Sequence, residues 1–306
     1  MGRMSRPAAR CAPALVPLLV MAASLAGCAR NALERPRYAY SPEAFSAALE
    51  ARVPGISPAL AEAPFVLDEQ TVNRARDVMA RLPRGPERMQ ALVDFLNAPE
   101  PEGLGLRYDW QATGDAETTL ARRRGNCVSL ASVLVGLGRG LGWPVYYAEV
   151  RARTPETKEF EGVRALSDHM AVLITPRSAQ MLVDFTGLID RIESVQIIDD
   201  LTAYAHILNN LSAEHVLRVD SSPEPAAWTR ALAGFRLATQ VQPELGRAWN
   251  NMGLALTRLG RFEEAREAYG RAVELDTAFG SPERNLTVME TRATGKTAIL
   301  EKAAPE

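Results

Sequence analysis

The stretch Gly125-Asn126-Cys127-Val128-Ser129-Leu130-Ala131-Ser132-Val133-Leu134-Val135-Gly136-Leu137-Gly138-Arg139-Gly140-Leu141-Gly142 decides how this chain is read. Leu130, Val133, Leu134, Leu137 and Leu141 recur at the spacing of one face of an α-helix. Gly140, Gly142 and Pro144 stop it. Cys127 stands at the start of that helix, where unpaired backbone amides and the positive end of the helix dipole meet the thiol. Such a setting favours thiolate over thiol and cradles an oxyanion. Residue type alone leaves the plainer alternative standing, a small inert thiol packed in a core.

Downstream, β-branched and aromatic residues mark strands at Val145 to Val150, Met170 to Ile174 and Met181 to Phe185. The charged segment between Arg151 and Leu166 reads as a loop bordering a cleft. An antiparallel pair folding about Pro176-Arg177 sets His169 opposite Asp184, with Cα atoms about 4.5–5.5 Å apart. A carboxylate there fixes the tautomer of the imidazole, which can take a proton from a thiol and return it to a leaving group. A longer turn would shift that register. Upstream, Leu67 to Asn97 reads as two helices joined at Pro83-Arg84-Gly85-Pro86. A loop with Tyr108 and Trp110 and a helical stretch near Ala116 to Arg123 follow. Arg122-Arg123-Arg124 is read as a solvated helix face ahead of a carboxylate-recognition patch.

Gly125-Asn126-Cys127 with its helix, then Asp168-His169-Met170-Ala171-Val172, then Val183-Asp184-Phe185, resemble the Cys, His and Asp blocks of the transglutaminase-like superfamily. The resemblance covers roughly residues 66–200. It implies an α+β, papain-like core with an antiparallel sheet, and acyl-transfer chemistry on a peptide or protein substrate. Cys127 would be the nucleophile, His169 the base and then acid, and Asp184 the group that orients it. Met170 stands where that superfamily often has an aromatic residue, so its substrate contacts are not carried over. For a second oxyanion donor, Tyr108 and Trp110 are the candidates.

The chain opens with Arg3, Arg6 and Arg10, an apolar run from Ala12 to Val20, and Leu25-Ala26-Gly27-Cys28. That ending resembles the lipobox of bacterial lipoproteins, which implies a signal peptide over 1–27 and lipidation at Cys28. With Ala29 after the cysteine, the resemblance favours the outer membrane, facing the periplasm. Prolines scattered through 28–65, mixed with weak helical signals, read as a tether with one short helix. Of three cysteines, Cys11 leaves with the leader and Cys28 is acylated, so Cys127 has no disulfide partner.

The last third carries a repeat. Ala231, Phe235 and Ala238 recur as Ala265, Tyr269 and Ala272, each 34 positions later. Trp249, Met252, Gly253 and Leu256, then Gly260, Phe262 and Ala265, resemble the tetratricopeptide consensus, with Thr277 where a proline is expected. About two and a half repeats are placed over 204–295, leaning on the preceding domain, with 296–306 a disordered tail. The expected fold class is α+β, followed by an all-α repeat tail.

The formal charge of −2 includes the three leader arginines, whose removal leaves −5. That weighs against nucleic acid as a partner. One body cysteine with His169, His206 and His215 offers no zinc set, and no other cofactor is expected. Gly295-Lys296-Thr297 lacks the first glycine and preceding strand of a phosphate loop. Two functions stay open. One is a periplasm-facing cysteine acyl-transfer enzyme, hydrolysing more than crosslinking because water is always available. The other is a non-catalytic envelope adaptor that binds a protein or peptide through the same fold and its repeats.

Overall fold

The computed structural model describes residues 38–83, 85–153, 156–160, 163–167, 169–176, 180–186, 192–217, 224–275 and 281–293. The leader with Cys28, the first part of the expected tether, Asp168, Arg177-Ser178, and the tail with Gly295-Lys296-Thr297 lie outside them.

A central helix, α5 (Cys127–Gly140), is buried from Val128 through Gly138. Asn126 caps it, its Oδ1 accepting the Ser129 amide at 3.2 Å, and Gly142 leaves it in a left-handed conformation, φ +77. Against it packs an antiparallel sheet of β3 (Val145–Ala152), β6 (His169–Ile174), β7 (Met181–Asp184) and β8 (Ile192–Ile197), in the order β7-β6-β3-β8. The Tyr147 hydroxyl reaches Ser132 Oγ on α5 at 3.0 Å, so Tyr147 and its cross-strand neighbour Val172 lie on the helix side.

The pairing of β6 with β7 corrects the expected register. Asp184 faces Ala171, and the ladder runs on to Ile174 opposite Met181. Residues 175–180 connect the strands, a longer link than a two-residue turn, and they slide the pairing by two positions. An even slide keeps every side chain on its face. His169, Ala171 and Asp184 therefore share one face, with His169 diagonal to Asp184, while Val172 and Val183 alternate to the side of α5.

Other expectations change as well. The charged segment after Arg151 contains a hairpin of β4 (Glu156–Phe160) and β5 (Val163–Ser167). Strand β8 completes the sheet beside β3. From residue 38 onward the expected tether packs against the body through a few buried side chains. Helix α1 (Pro42–Arg52) buries Phe45 and Leu49 completely, and Phe45 meets Tyr40, Phe65 and Tyr204 edge to face. Such burial is worth several kcal/mol, and the prolines do not oppose the helix, since Pro42 takes its first position and Pro54 lies past its end. The helices expected between 67 and 123 form as α2 (Glu69–Ala80), α3 (Pro86–Asn97) and α4 (Ala116–Arg122), and short strands β1 (Arg107–Tyr108) and β2 (Arg124–Gly125) pair in parallel just before α5.

The C-terminal region is helical: α6 (Asp200–Leu217), α7 (Pro225–Val241), α8 (Gly246–Arg258), α9 (Phe262–Leu275) and α10 (Ser281–Ala293). Gly253 lets α8 and α9 cross closely, since a Cβ there would sit 2.8 Å from the Tyr269 ring. Helix α6 joins the first core through Leu201, Tyr204, Ile207 and Leu208. Asp200 at its start, fully buried, takes a bidentate contact from Arg139 of α5 at 2.7 and 2.8 Å. Arg52 of α1 donates to the Val241 carbonyl at 2.6 Å. The described residues from Tyr38 onward belong to one compact unit.

Candidate functional site

Asn126 builds the entrance to the site. Besides capping α5 it donates to Thr113 Oγ1 at 2.9 Å, and its own amide donates to the Ala112 carbonyl at 2.7 Å. Ser129 Oγ in turn accepts the Gly114 amide at 2.9 Å. The Gly125-Asn126-Cys127 sequence thus fixes the first turn of α5 against the 112–114 segment. Glu214 of α6 ties down that segment from the other side, accepting the Thr113 amide at 2.5 Å.

Cys127 follows as the first helical residue. The backbone amides of Val128 and Met170, the latter adjacent to His169, act on its sulfur in favour of the thiolate. The residue keeps some exposure, but the protein packed around it excludes water that would solvate a thiolate. Burial therefore pushes the thiol up, ahead of the two amides and the Arg247 charge that pull it down, and the Asp184 charge adds to the rise. This corrects the expectation from the helix terminus alone. Burial thus opposes the thiolate that the helix start by itself would favour.

Cys127 and His169 border one narrow cavity with Val128, Glu149, Met170, His206, Asn210 and Arg247. Its volume of about 20 Å³ holds roughly one water and no substrate. His169 is 5 % exposed. Asp184 does not line this cavity. Its Oδ1 accepts from the Thr186 amide at 3.0 Å and hydroxyl at 2.7 Å, which closes a tight turn after β7. Tyr108 and Trp110 are 46 % and 42 % exposed and also lie off the cavity. Arg122 donates to the Thr113 carbonyl, Arg123 pairs with Glu100 and Arg124 with Asp109, so the arginine run serves local structure.

Sequence reasoning missed the far wall. Glu149 comes from β3, His206 and Asn210 from α6, and Arg247 from α8. His206 Nε2 lies 2.7 Å from Glu149 Oε1. Burial alone would push the Glu149 carboxyl up. The hydrogen bond and charge of His206, then the charges of Arg247 and Arg151, outweigh it and hold the carboxyl at about 2. No spacing rule links positions 149, 206 and 247, because only the packing of α6 and α8 beside the sheet brings them together. Among the described residues, no group of three His, Cys, Asp or Glu is arranged to hold a metal ion, and no helix is long and apolar enough to cross a membrane.

The α+β body with its helical C-terminal region defines the class of protein to which comparison can be made. The tetratricopeptide-repeat family model matches residues 246–277, which hold α8 and α9. No curated protein matches the chain. The chain carries a tetratricopeptide repeat, and stacked repeats of this kind form surfaces for protein partners.

Proposed function

We propose that this chain is a cysteine acyl-transfer enzyme of transglutaminase-like type, acting mainly as a peptidase or amidase. The observation that carries the reading is Cys127 itself, at the capped end of a buried helix, with two backbone amides on its sulfur and a cavity shared with His169. His169 takes the thiol proton. The thiolate then attacks a carbonyl carbon, and amides at the start of α5 hold the oxyanion. His169 returns the proton to the leaving amine, and water cleaves the thioester. Asp184, on the same face as His169, orients the imidazole.

Alkylation of Cys127 in the purified protein, followed against pH, tests this. A His169→Ala change should slow the neutral-pH rate by at least about tenfold, and Asp184→Asn by less. Unchanged rates in both folded variants would end the reading. A second reading, a protein-binding adaptor, is supported by the repeat at 246–277 and by a cavity too small for substrate. It predicts a thiol that alkylates slowly and indifferently to His169.

We extend the proposal to location. The Leu25-Ala26-Gly27-Cys28 ending supports a lipoprotein held at the outer membrane and facing the periplasm. Membrane attachment that persists in Cys28→Ala would remove it.

A further inference from the structure

The cavity at Cys127 has a second imidazole, His206, in direct contact with a carboxylate. His206 is 4 % exposed and stands on α6, the helix that links the sheet to the repeats. Its Nε2 meets Glu149 Oε1 at 2.7 Å. The ring N–H is not fully aligned with that oxygen, but at this distance a small ring rotation aligns it. His206 and the nearby arginines hold the Glu149 carboxyl at about 2, well below the ordinary carboxylate range. A carboxylate on Nε2 selects the tautomer that carries its proton there and leaves Nδ1 as the basic nitrogen.

We propose that His206, oriented by Glu149, is a second proton-transfer residue of the Cys127 site, which makes the helix leading into the repeats part of the chemistry. The proposal rests on the reading of Cys127 as a nucleophile. The S–H bond of Cys127 breaks and an N–H bond forms at His206 Nδ1, so that thiol and imidazole become thiolate and imidazolium. The imidazolium is neutralised by Glu149, and the same proton later goes to the leaving amine. The cavity that both residues line has room for about one water.

The charged groups beside His206 in the cavity wall are Glu149 on β3 and Arg247 on α8. Cys127 on α5 and His169 on β6 complete the cavity wall. Arg151 acts on Glu149, and Asp184 acts on Cys127, through their charges.

The test is the pH profile of Cys127 alkylation by iodoacetamide in the full chain, with thermal melting to establish that each variant is folded. His206→Gln should slow the rate at neutral pH by at least about tenfold and move the inflection to higher pH. Glu149→Gln keeps the shape but not the charge, and should slow it severalfold with a smaller movement of the inflection. It also keeps the test decisive if His206→Gln fails to fold. A folded Glu149→Gln or His206→Gln with the wild-type profile would overturn the proposal. If His169→Ala slows alkylation while these two do not, this inference falls and the proposed function stands. If wild-type Cys127 behaves as an inert thiol in every variant, both fall.

Discussion

At Cys127 two physical effects oppose each other. The start of α5 and the amides of Val128 and Met170 favour a thiolate, while enclosure by protein disfavours any charge, and burial is the larger influence. The helix start was legible in the sequence because a cap and an apolar stripe are local features. The enclosure was not, because it is supplied by β6, α6 and α8. Glu149 makes the same point and yields a measurable consequence. Its carboxyl sits at about 2, below its ordinary 4.5, so as pH falls the unfolded chain takes up the proton first. The stability it contributes is present in full above about pH 4.5 and is lost as pH drops toward 2. With its side chain 31 % exposed, solvent screening trims the effect. Between pH 5 and pH 3 the wild type should lose roughly 1–2 kcal/mol more than Glu149→Gln does. Urea denaturation at the two pH values reads this directly, and equal losses would show that the carboxylate is not held by His206.

Among the elements, strand identity was easier to read than strand pairing. Val145 to Val150, Met170 to Ile174 and Met181 to Phe185 were all recognisable by composition, and β3, β6 and β7 fall there. The register depended on the link after Thr175, whose length no alternation pattern reveals. His169 and Asp184 kept a common face only because the slide was even. The repeat helices were legible for a different reason, since small residues recur wherever two helices must approach. Gly253 is the sharpest case. A Gly253→Ala change puts a methyl carbon 2.8 Å from the Tyr269 ring, and α8 or the ring must shift. The expected cost is about 1–3 kcal/mol, read as a lower urea midpoint, and an unchanged midpoint would mean the crossing is looser than described. The repeats also stack through asparagines. Asn251 donates to Asn209 at 2.9 Å and Asn285 to Asn250 at 2.8 Å, which links α6, α8 and α10 in turn.

On the scale of the whole molecule, one core runs from Phe45 through α5 and the sheet into α6, α7 and the start of α8, while the outer repeats bury a second cluster around Trp228, Phe235, Leu256 and Tyr269. The N-terminal segment is a strap across the first core. Arg52 reaches the end of α7, and the Leu60 carbonyl accepts the Tyr204 hydroxyl at 2.6 Å. Phe45→Ala should therefore cost about 3–5 kcal/mol and lower the melting temperature of the body as a whole. A tether residue would leave the melting curve unmoved, so thermal denaturation separates the two descriptions.

The sequence by itself determined the helix that begins at Cys127, the identities of the main strands and the 34-residue repeat, because each is written in contacts a few residues apart or in a period along the chain. Only the tertiary structure decided the β6–β7 register, the docking of 38–65 on the core through Phe45, Leu49 and Phe65, and the company Cys127 keeps. Glu149, His206 and Arg247 lie far apart in the chain, and nothing local records their meeting. They come together because α6 and α8 must bury their apolar faces beside the sheet, and that packing carries a carboxylate, an imidazole and a guanidinium to the wall of the same cavity.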